Sequence, residues 1–364
     1  MLQILAFVAV LCWATAPRLG VSAIKVVILL YALGVGAAAD PAEAQEVYVR
    51  VVDVGAGLCV VATTPDGHSL VYDTGSDAAT CRSAVRELVP SKNVDLLVLS
   101  HSDSDHVGAA QAILAENDVA TIIHPGDNRP EDLTALRGAI AAEPGADVWN
   151  IAVRPVPFGK QFALGPATIT FVAGWSDGTK TRTHGEKKLT EAMRNNALSS
   201  VIRLEFKGHS VLLTGDTVGR FEYEPGKACE FAERTMVDDD QTIPLKSDVL
   251  VGQHHGADNA TANCFIQAVQ PTYVVFSAGN LYGHPRQSTA DRLVAYGVPP
   301  DNIFRTDRGG YEKPKSAKSA QWIYKTYAGC MDKKGDDDVE IHLPADPAAP
   351  TTVNYRNPKD ACEP

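Results

Sequence analysis

The sequence lacks several features that would quickly assign it a function. Its seven cysteines include no C-x-x-C pair, which argues against a cysteine zinc site. No G-x-x-x-x-G-K-[ST] loop is present to cradle a nucleotide phosphate. No Ser-His-Asp or Cys-His arrangement competes as a covalent hydrolase, and no internal repeat is visible. Positive charge is in deficit. The 33 Lys and Arg stand against 44 Asp and Glu, a formal net charge of −11. Such a surface repels polyanions at long range, so an extended nucleic-acid footprint is not expected. A single phosphate group in a cation-lined pocket stays open, because bound cations dominate the local field there. Two apolar stretches near the N-terminus are each too short for a confident spanning helix.

What is present fits a globular chain with a sizeable core, being 45% hydrophobic and 21% charged over 364 residues. Residues 1–44 read as a leader. Val26–Ala38 has the length of a signal-peptide apolar region, Arg18 and Lys25 precede it, and Ala42-Glu43-Ala44 has the A-x-A form of a cleavage site. The earlier run Leu2–Thr15 is unusual there, and Val21 is a candidate start; a pair of membrane-anchoring segments is the other reading. Either way the expected location is outside the cytoplasm, periplasmic or secreted, or membrane-anchored where the leader is kept and touches the bilayer. The cysteines beyond Cys12 are even in number and would suit disulfides in an oxidising compartment, with the pairing left open. Residues 45–330 are expected to form the main domain, and 331–364 a tail with a small hairpin at Val339–Leu343 and Thr351–Tyr355.

From Glu46 onward short β-type runs alternate with loops and helices. Strands are expected at Val47–Val54, Cys59–Thr63, His68–Tyr72, Val94–Ser100, Thr121–His124, Thr168–Ala173, Ser200–Phe206, Ser210–Thr214, Val249–Gln253 and Thr272–Ala278. Helices are expected at Ser83–Val89, Val107–Glu116, Leu133–Ala142, Ala262–Val269 and Ala290–Tyr296. Trp175–Arg194 is polar and locally basic, and is expected as a surface loop or a lid over an anionic substrate. Gly219–Ser247 is a second long insertion. The mixture implies an α/β protein with helix-covered sheets.

The chemistry concentrates at strand ends. His101-Ser102-Asp103-Ser104-Asp105-His106 follows the nearly all-apolar Val94–Ser100. A polar run of that kind cannot enter a core, so it needs solvent or a cation. His, Asp, Asp and His in one short loop can converge on two ions, because alternate residues point to different sides. Leu213-Thr214-Gly215-Asp216 places a carboxylate at another strand end, where it can bridge two metals about 3.5–4 Å apart. Gly252-Gln253-His254-His255-Gly256 offers adjacent histidines that point different ways. One can bind metal while the other handles protons or substrate. Tyr282-Gly283-His284-Pro285 would hold His284 rigidly. Asp53 and Asp73, each beside a glycine turn, read as carboxylates that orient histidines or brace loops, with Asp73 also a catalytic candidate.

In this order the motifs resemble the metallo-β-lactamase superfamily, most of all the hydrolase domain of ComEC-type competence proteins and its stand-alone relatives. The resemblance runs from about Val47 to Gly310. It implies an α/β four-layer αβ/βα sandwich carrying two divalent ions at one sheet edge. It further implies His101, His106 and Asp105 as metal ligands and Asp216 as the bridge. His255 (or His254) would complete one site, and His284 the other. Asp103 stands where the commoner motif has a second histidine, and is a further, weaker ligand candidate. The usual mid-chain histidine is missing; Asn195 and Asn196 lie near its place. Extra oxygen ligands harden the site, so manganese competes with zinc, which remains first choice. Asp105, His254 and Asp73 are the catalytic candidates, with His254 a possible proton donor to the leaving group. The implied activity is hydrolysis of a phosphodiester, in nucleic acid or a small head group, by a water activated between the ions. The alternatives are hydrolysis of a carbonyl ester, lactone or β-lactam at the same place, or a metal-free binding module.

Overall fold

The computed structural model describes residues 45–126, 130–175, 189–221, 229–240, 242–309, 320–327, 330 and 333–359. The leader expectations for residues 1–44 fall outside that set. Among the described residues no helix is long and apolar enough to cross a membrane.

Two mixed sheets face one another. The first strands of the larger are β1 (Glu46–Val51), β2 (Val60–Thr63), β3 (Ser69–Tyr72), β4 (Asn93–Val98), β5 (Asp118–His124) and β6 (Asp147–Asn150). β14 (Val339–Pro344) and β15 (Thr352–Tyr355) complete its order β15-β14-β1-β2-β3-β4-β5-β6. The smaller sheet contains β7 (Gln161–Leu164), β8 (Ala167–Ala173), β9 (Val201–Phe206), β10 (His209–Leu213), β11 (Val249–Val251), β12 (Tyr273–Phe276) and β13 (Ile303–Arg305). Its order is β13-β12-β11-β10-β9-β8-β7. β3 to β6 run parallel, as do β10 to β13. Parallel strands covered on both faces need apolar side chains on both, which is why β10 is buried at every residue.

Between the sheets, Val49, Val51, Tyr72 and Val98 pack with Phe171, Ile202, Leu213 and Val251. The helices lie outside. α1 (Ala78–Leu88), α2 (Ser104–Val107), α3 (Ala110–Leu114) and α4 (Pro130–Ala142) belong to the larger sheet's side, where Val71, Leu97 and Ile122 meet Val85, Ile113 and Ile140. α5 (Glu191–Ala197), α6 (Phe231–Asp239), α7 (Asn263–Val269) and α8 (Gln287–Ala295) belong to the other side, where Leu212, Leu250 and Val274 meet Phe231, Phe265 and Leu293. The result is the expected four-layer sandwich.

Several elements differ from expectation. The helix read at Val107–Glu116 is two short helices. A side chain at Gly108 would come within 3 Å of the backbone oxygens of Ser104, Ser76 and Gly75, so the chain turns there in close contact with the loop after β3. Part of the loop read at Trp175–Arg194 is helical, because Thr190 caps α5 by accepting from Met193 N. The insertion read at Gly219–Ser247 contains α6. The small hairpin expected in the tail after residue 330 forms, as the paired strands β14 and β15. β14 also pairs with β1 along its whole length, placing Val339, Ile341 and Leu343 in the central core.

Two disulfides tie loops to helices: Cys59–Cys81 joins the start of β2 to α1, and Cys229–Cys264 joins the approach to α6 to α7.

Candidate metal centre

The carboxyl ends of β3, β4, β10 and β11 point to one place, the position where parallel α/β sheets put their ligand sites. After β4, Ser100 N and Ser100 Oγ donate to the two oxygens of Asp73, at 2.7 and 2.6 Å. Asp73 Oδ2 also meets His106 Nδ1 at 2.7 Å. Asp73 is fully buried. It fixes the His106 ring so that Nε2 faces inward. This geometry matches the histidine-orienting part expected of Asp73, and its catalytic part stays an expectation.

The next loop is held at the backbone. A side chain at Gly57, whose φ is +151°, would meet Asp105 O at 2.5 Å; with none there, Leu58 N reaches that oxygen at 3.1 Å. Asp53, beside the same loop, braces it instead of entering the centre. It accepts from Gly335 N and Gly55 N, while its own N–H donates to Asp338. Gly215 (φ +52°) turns the chain after β10 against Ser100, and Asp216 follows with its N–H donating to Ser199 Oγ at 3.0 Å.

After β11, His254 and His255 both take left-handed backbone conformations, with φ 46° and 56°. For non-glycine residues this costs about 1–2 kcal/mol each. Strain of this kind persists where the surroundings over-determine it, and it sends the two rings apart. His255 Nδ1 bonds Ser277 O at 2.6 Å, leaving Nε2 to face inward. His254 Nδ1 bonds Asn259 Oδ1 at 2.7 Å, and its Nε2 meets Asn196 Nδ2 at 3.1 Å.

Donor atoms then crowd together. His106 Nε2 lies 3.2 Å from Asp216 Oδ1 and 3.3 Å from His255 Nε2. His255 Nε2 lies 3.5 Å from Asp216 Oδ2 and 3.7 Å from Asp105 Oδ2. His101 Nε2 lies 3.6 Å from Asp103 Oδ2 and 3.9 Å from Asp216 Oδ2. Tetrahedral coordination with metal–ligand bonds near 2 Å needs donors about 3.4 Å apart. Two overlapping triplets meet the geometric requirement, His101-His106-Asp216 and Asp105-His106-His255. Within them His101 Nε2 and Asp216 Oδ1 are buried without a hydrogen bond. Orphaned atoms of this kind carry a large desolvation cost unless a cation meets them, so the donor set fits divalent metal.

The electrostatics agree. Burial alone would lower His106, yet Asp216 and Asp73 hold it well above the ordinary histidine value. Burial also opposes His255, but Asp216 and Asp105 push it up to about 10. Burial would raise Asp105 and Asp216, and the facing histidines hold both well below the carboxylate range. Protons on His106 and His255 and divalent cations therefore compete for the same place.

Asp103 lies at the rim, its Oδ1 accepting from Asn195 Nδ2 at 2.6 Å. His284 joins neither triplet. Its ring stands 5.8 Å from that of His254 and 6.3 Å from that of Tyr282. Its carbonyl is held by Arg305 and Gln321, so its ligand role stays an expectation. Asn259, Ser277 and Ser199 carry no motif, and nothing in the sequence marked them.

The family model described as "Metallo-beta-lactamase superfamily" matches residues 52–279. The competence protein ComA of Neisseria gonorrhoeae is 30% identical over 276 residues, which are 73% of this chain and 32% of that protein. ComE operon protein 3 of Bacillus subtilis is 26% identical over 79% of this chain and 34% of that protein. The chain thus spans about a third of the length of the curated relatives it matches. Among solved structures, the metallo-beta-lactamase fold protein YhfI from Bacillus subtilis aligns over 75% of this chain and 98% of its own. Its TM-score is 0.42 and its identity 12%.

Proposed function

The chain belongs to the metallo-β-lactamase superfamily, and from that membership we propose that it is a metal-dependent phosphodiester hydrolase that works outside the cytoplasm. The observation that carries the reading is the buried cluster of imidazoles and carboxylates from three loops, in which His101 Nε2 and Asp216 Oδ1 make no hydrogen bond. The phosphodiester class is the reading suggested by the motif order, in which Asp103 stands where the commoner motif has a second histidine. The location is supported by the disulfides Cys59–Cys81 and Cys229–Cys264.

Bound there, a pair of divalent cations supplies Lewis acidity and neutralises charge on a phosphate. The protein's own contribution is orientation. Asp73 and Ser277 O fix the rings of His106 and His255 from behind. Asp216 meets His106 and His255 on one side and His101 on the other, so it can serve both positions. Burial lowers His254 below its ordinary value, and the partly opposing Asp216 does not restore it. Its Nδ1–H donates to Asn259, so Nε2 is an acceptor, and Asn196 Nδ2 donates to it. His254 is thus set as an acceptor held by Asn196, and the proton-donor part suggested by the sequence stays an expectation.

The test is hydrolysis of bis-p-nitrophenyl phosphate against nitrocefin and p-nitrophenyl acetate, with zinc or manganese supplied. The diester should be turned over and the other two not. Preference for nitrocefin or the acetate would replace the phosphodiester reading with carbonyl hydrolysis.

A further inference from the structure

From the unequal donors on its two sides we infer that the centre is asymmetric: the position beside His101 is an oxygen-rich cation site completed by the side-chain oxygen of Asn196. It holds its ion more weakly than its neighbour and accepts manganese. This rests on the metallohydrolase reading above.

One side of the cluster has two imidazoles, His106 and His255, with carboxylates from Asp105 and Asp216 at 3.2–3.7 Å. Each of those rings is fixed through its other nitrogen. Imidazole suits zinc, and rings oriented in this way bind it tightly. The other side has His101, with carboxylate oxygens of Asp103 and Asp216 at 3.6 and 3.9 Å. His106 also stands in a triplet with His101 and Asp216, but its one inward nitrogen can serve only one ion and lies 3.3 Å from His255 Nε2. His254 Nε2 also comes within 3.9 Å of Asp216, but the Asn196 amide covers it.

Asn196 supplies the independent observation. It is 4% exposed, and its Oδ1 is buried with no hydrogen-bond donor. Its orientation follows from a chain of bonds. His254 gives its one proton, on Nδ1, to Asn259 Oδ1. The bare Nε2 then takes an N–H from Asn196 Nδ2 at 3.1 Å, and the amide oxygen is the end left over. The amide is held at His254, whose Nε2 lies 3.9 Å from Asp216 Oδ2, and its oxygen has nothing to accept. A carbonyl oxygen added to two carboxylates makes a hard donor set, the kind that suits manganese. Asn195 serves the same side by holding Asp103 through Oδ1, which leaves Oδ2 toward His101.

The experiment counts metal. The metal-free chain is loaded with zinc, or with zinc and manganese together, and dialysed at length. Metal is then measured by mass spectrometry and bound manganese by electron paramagnetic resonance. The wild type should keep one zinc and lose the second, and manganese should fill the second position in competition. Asn196→Ala should weaken only the second ion, by at least about tenfold. Asn196→Asp, which keeps the oxygen, should retain manganese. Asn196→His, which supplies a nitrogen, should retain two zincs. Two zincs of equal affinity in the wild type would overturn the inference. So would an Asn196→Ala chain that folds by circular dichroism and binds both ions unchanged. A chain that takes up no ion would defeat the metallohydrolase reading as well, so the two failures are distinguishable.

Discussion

Asp216 meets His106, His255, His254 and His101 within 3.9 Å, so no other single side chain is shared by as much of the described centre. Asp216→Ala should abolish turnover while leaving thermal unfolding near the wild type, since no folding contact beyond the centre depends on its carboxylate. Retained activity would discard its bridging role. Asp73→Asn keeps the shape but loses the charge that fixes His106, and should lower zinc affinity by about 10–100-fold. A more distant carboxylate gives a pH signature. Glu233 of α6 is fully buried, and burial raises it to about 7 although Ala262 N, Thr261 N and the charges of Arg292 and Arg220 pull the other way. Its folded value exceeds its ordinary 4.5. The stability it contributes is therefore complete below pH 4.5, and is lost as pH rises through 7. Across that interval the denaturant midpoint of the wild type should fall relative to that of Glu233→Gln as pH rises; a constant difference would contradict the assignment. The gathering of His101–His106, Asp216 and the His254-His255 pair was legible because buried strands do not end in charged runs without cause. Asn259 and Ser277 were not, because an asparagine or a backbone carbonyl acquires its role only when the fold delivers it to an imidazole.

At the scale of elements, Cys59–Cys81 and Cys229–Cys264 act on segments that lead into the centre. Cys59 follows the Gly57 loop behind Asp105, and Cys264 lies in α7, directly after the Thr261-Ala262 backbone that Glu233 holds. By chain entropy each closure is worth about 3–4 kcal/mol. Cys229→Ser with Cys264→Ser should therefore lower unfolding free energy by roughly that amount in denaturant titrations. An unchanged midpoint would mean that α6 and α7 are held by packing alone. The inner strands β3, β4 and β10 were readable as apolar runs. β6 and β7 were not, because edge strands bury little, and their residues are mostly exposed or half-buried. The break between α2 and α3 was hidden for another reason: Gly108 keeps helical backbone angles, and only its neighbours Gly75 and Ser76 reveal the constraint.

For the whole molecule, the order of strands decides what the sequence could not show. β14 lies beside β1 although nearly the whole chain separates them, so the last strands close the same core that the first one opens. No local pattern encodes a pairing of that span. The net charge of −11 acts at this scale too. Raising ionic strength should speed cleavage of a long polyanion and leave that of a small diester nearly unchanged. The account as a whole depends on imidazoles and carboxylates gathering around divalent metal. The most direct measurement is the zinc content of the purified, desalted chain beside that of a His106→Ala, Asp216→Ala double variant shown to be folded. At least one zinc per wild-type chain is predicted, with almost none in the variant. Equal metal in the two, or none in either, would contradict it.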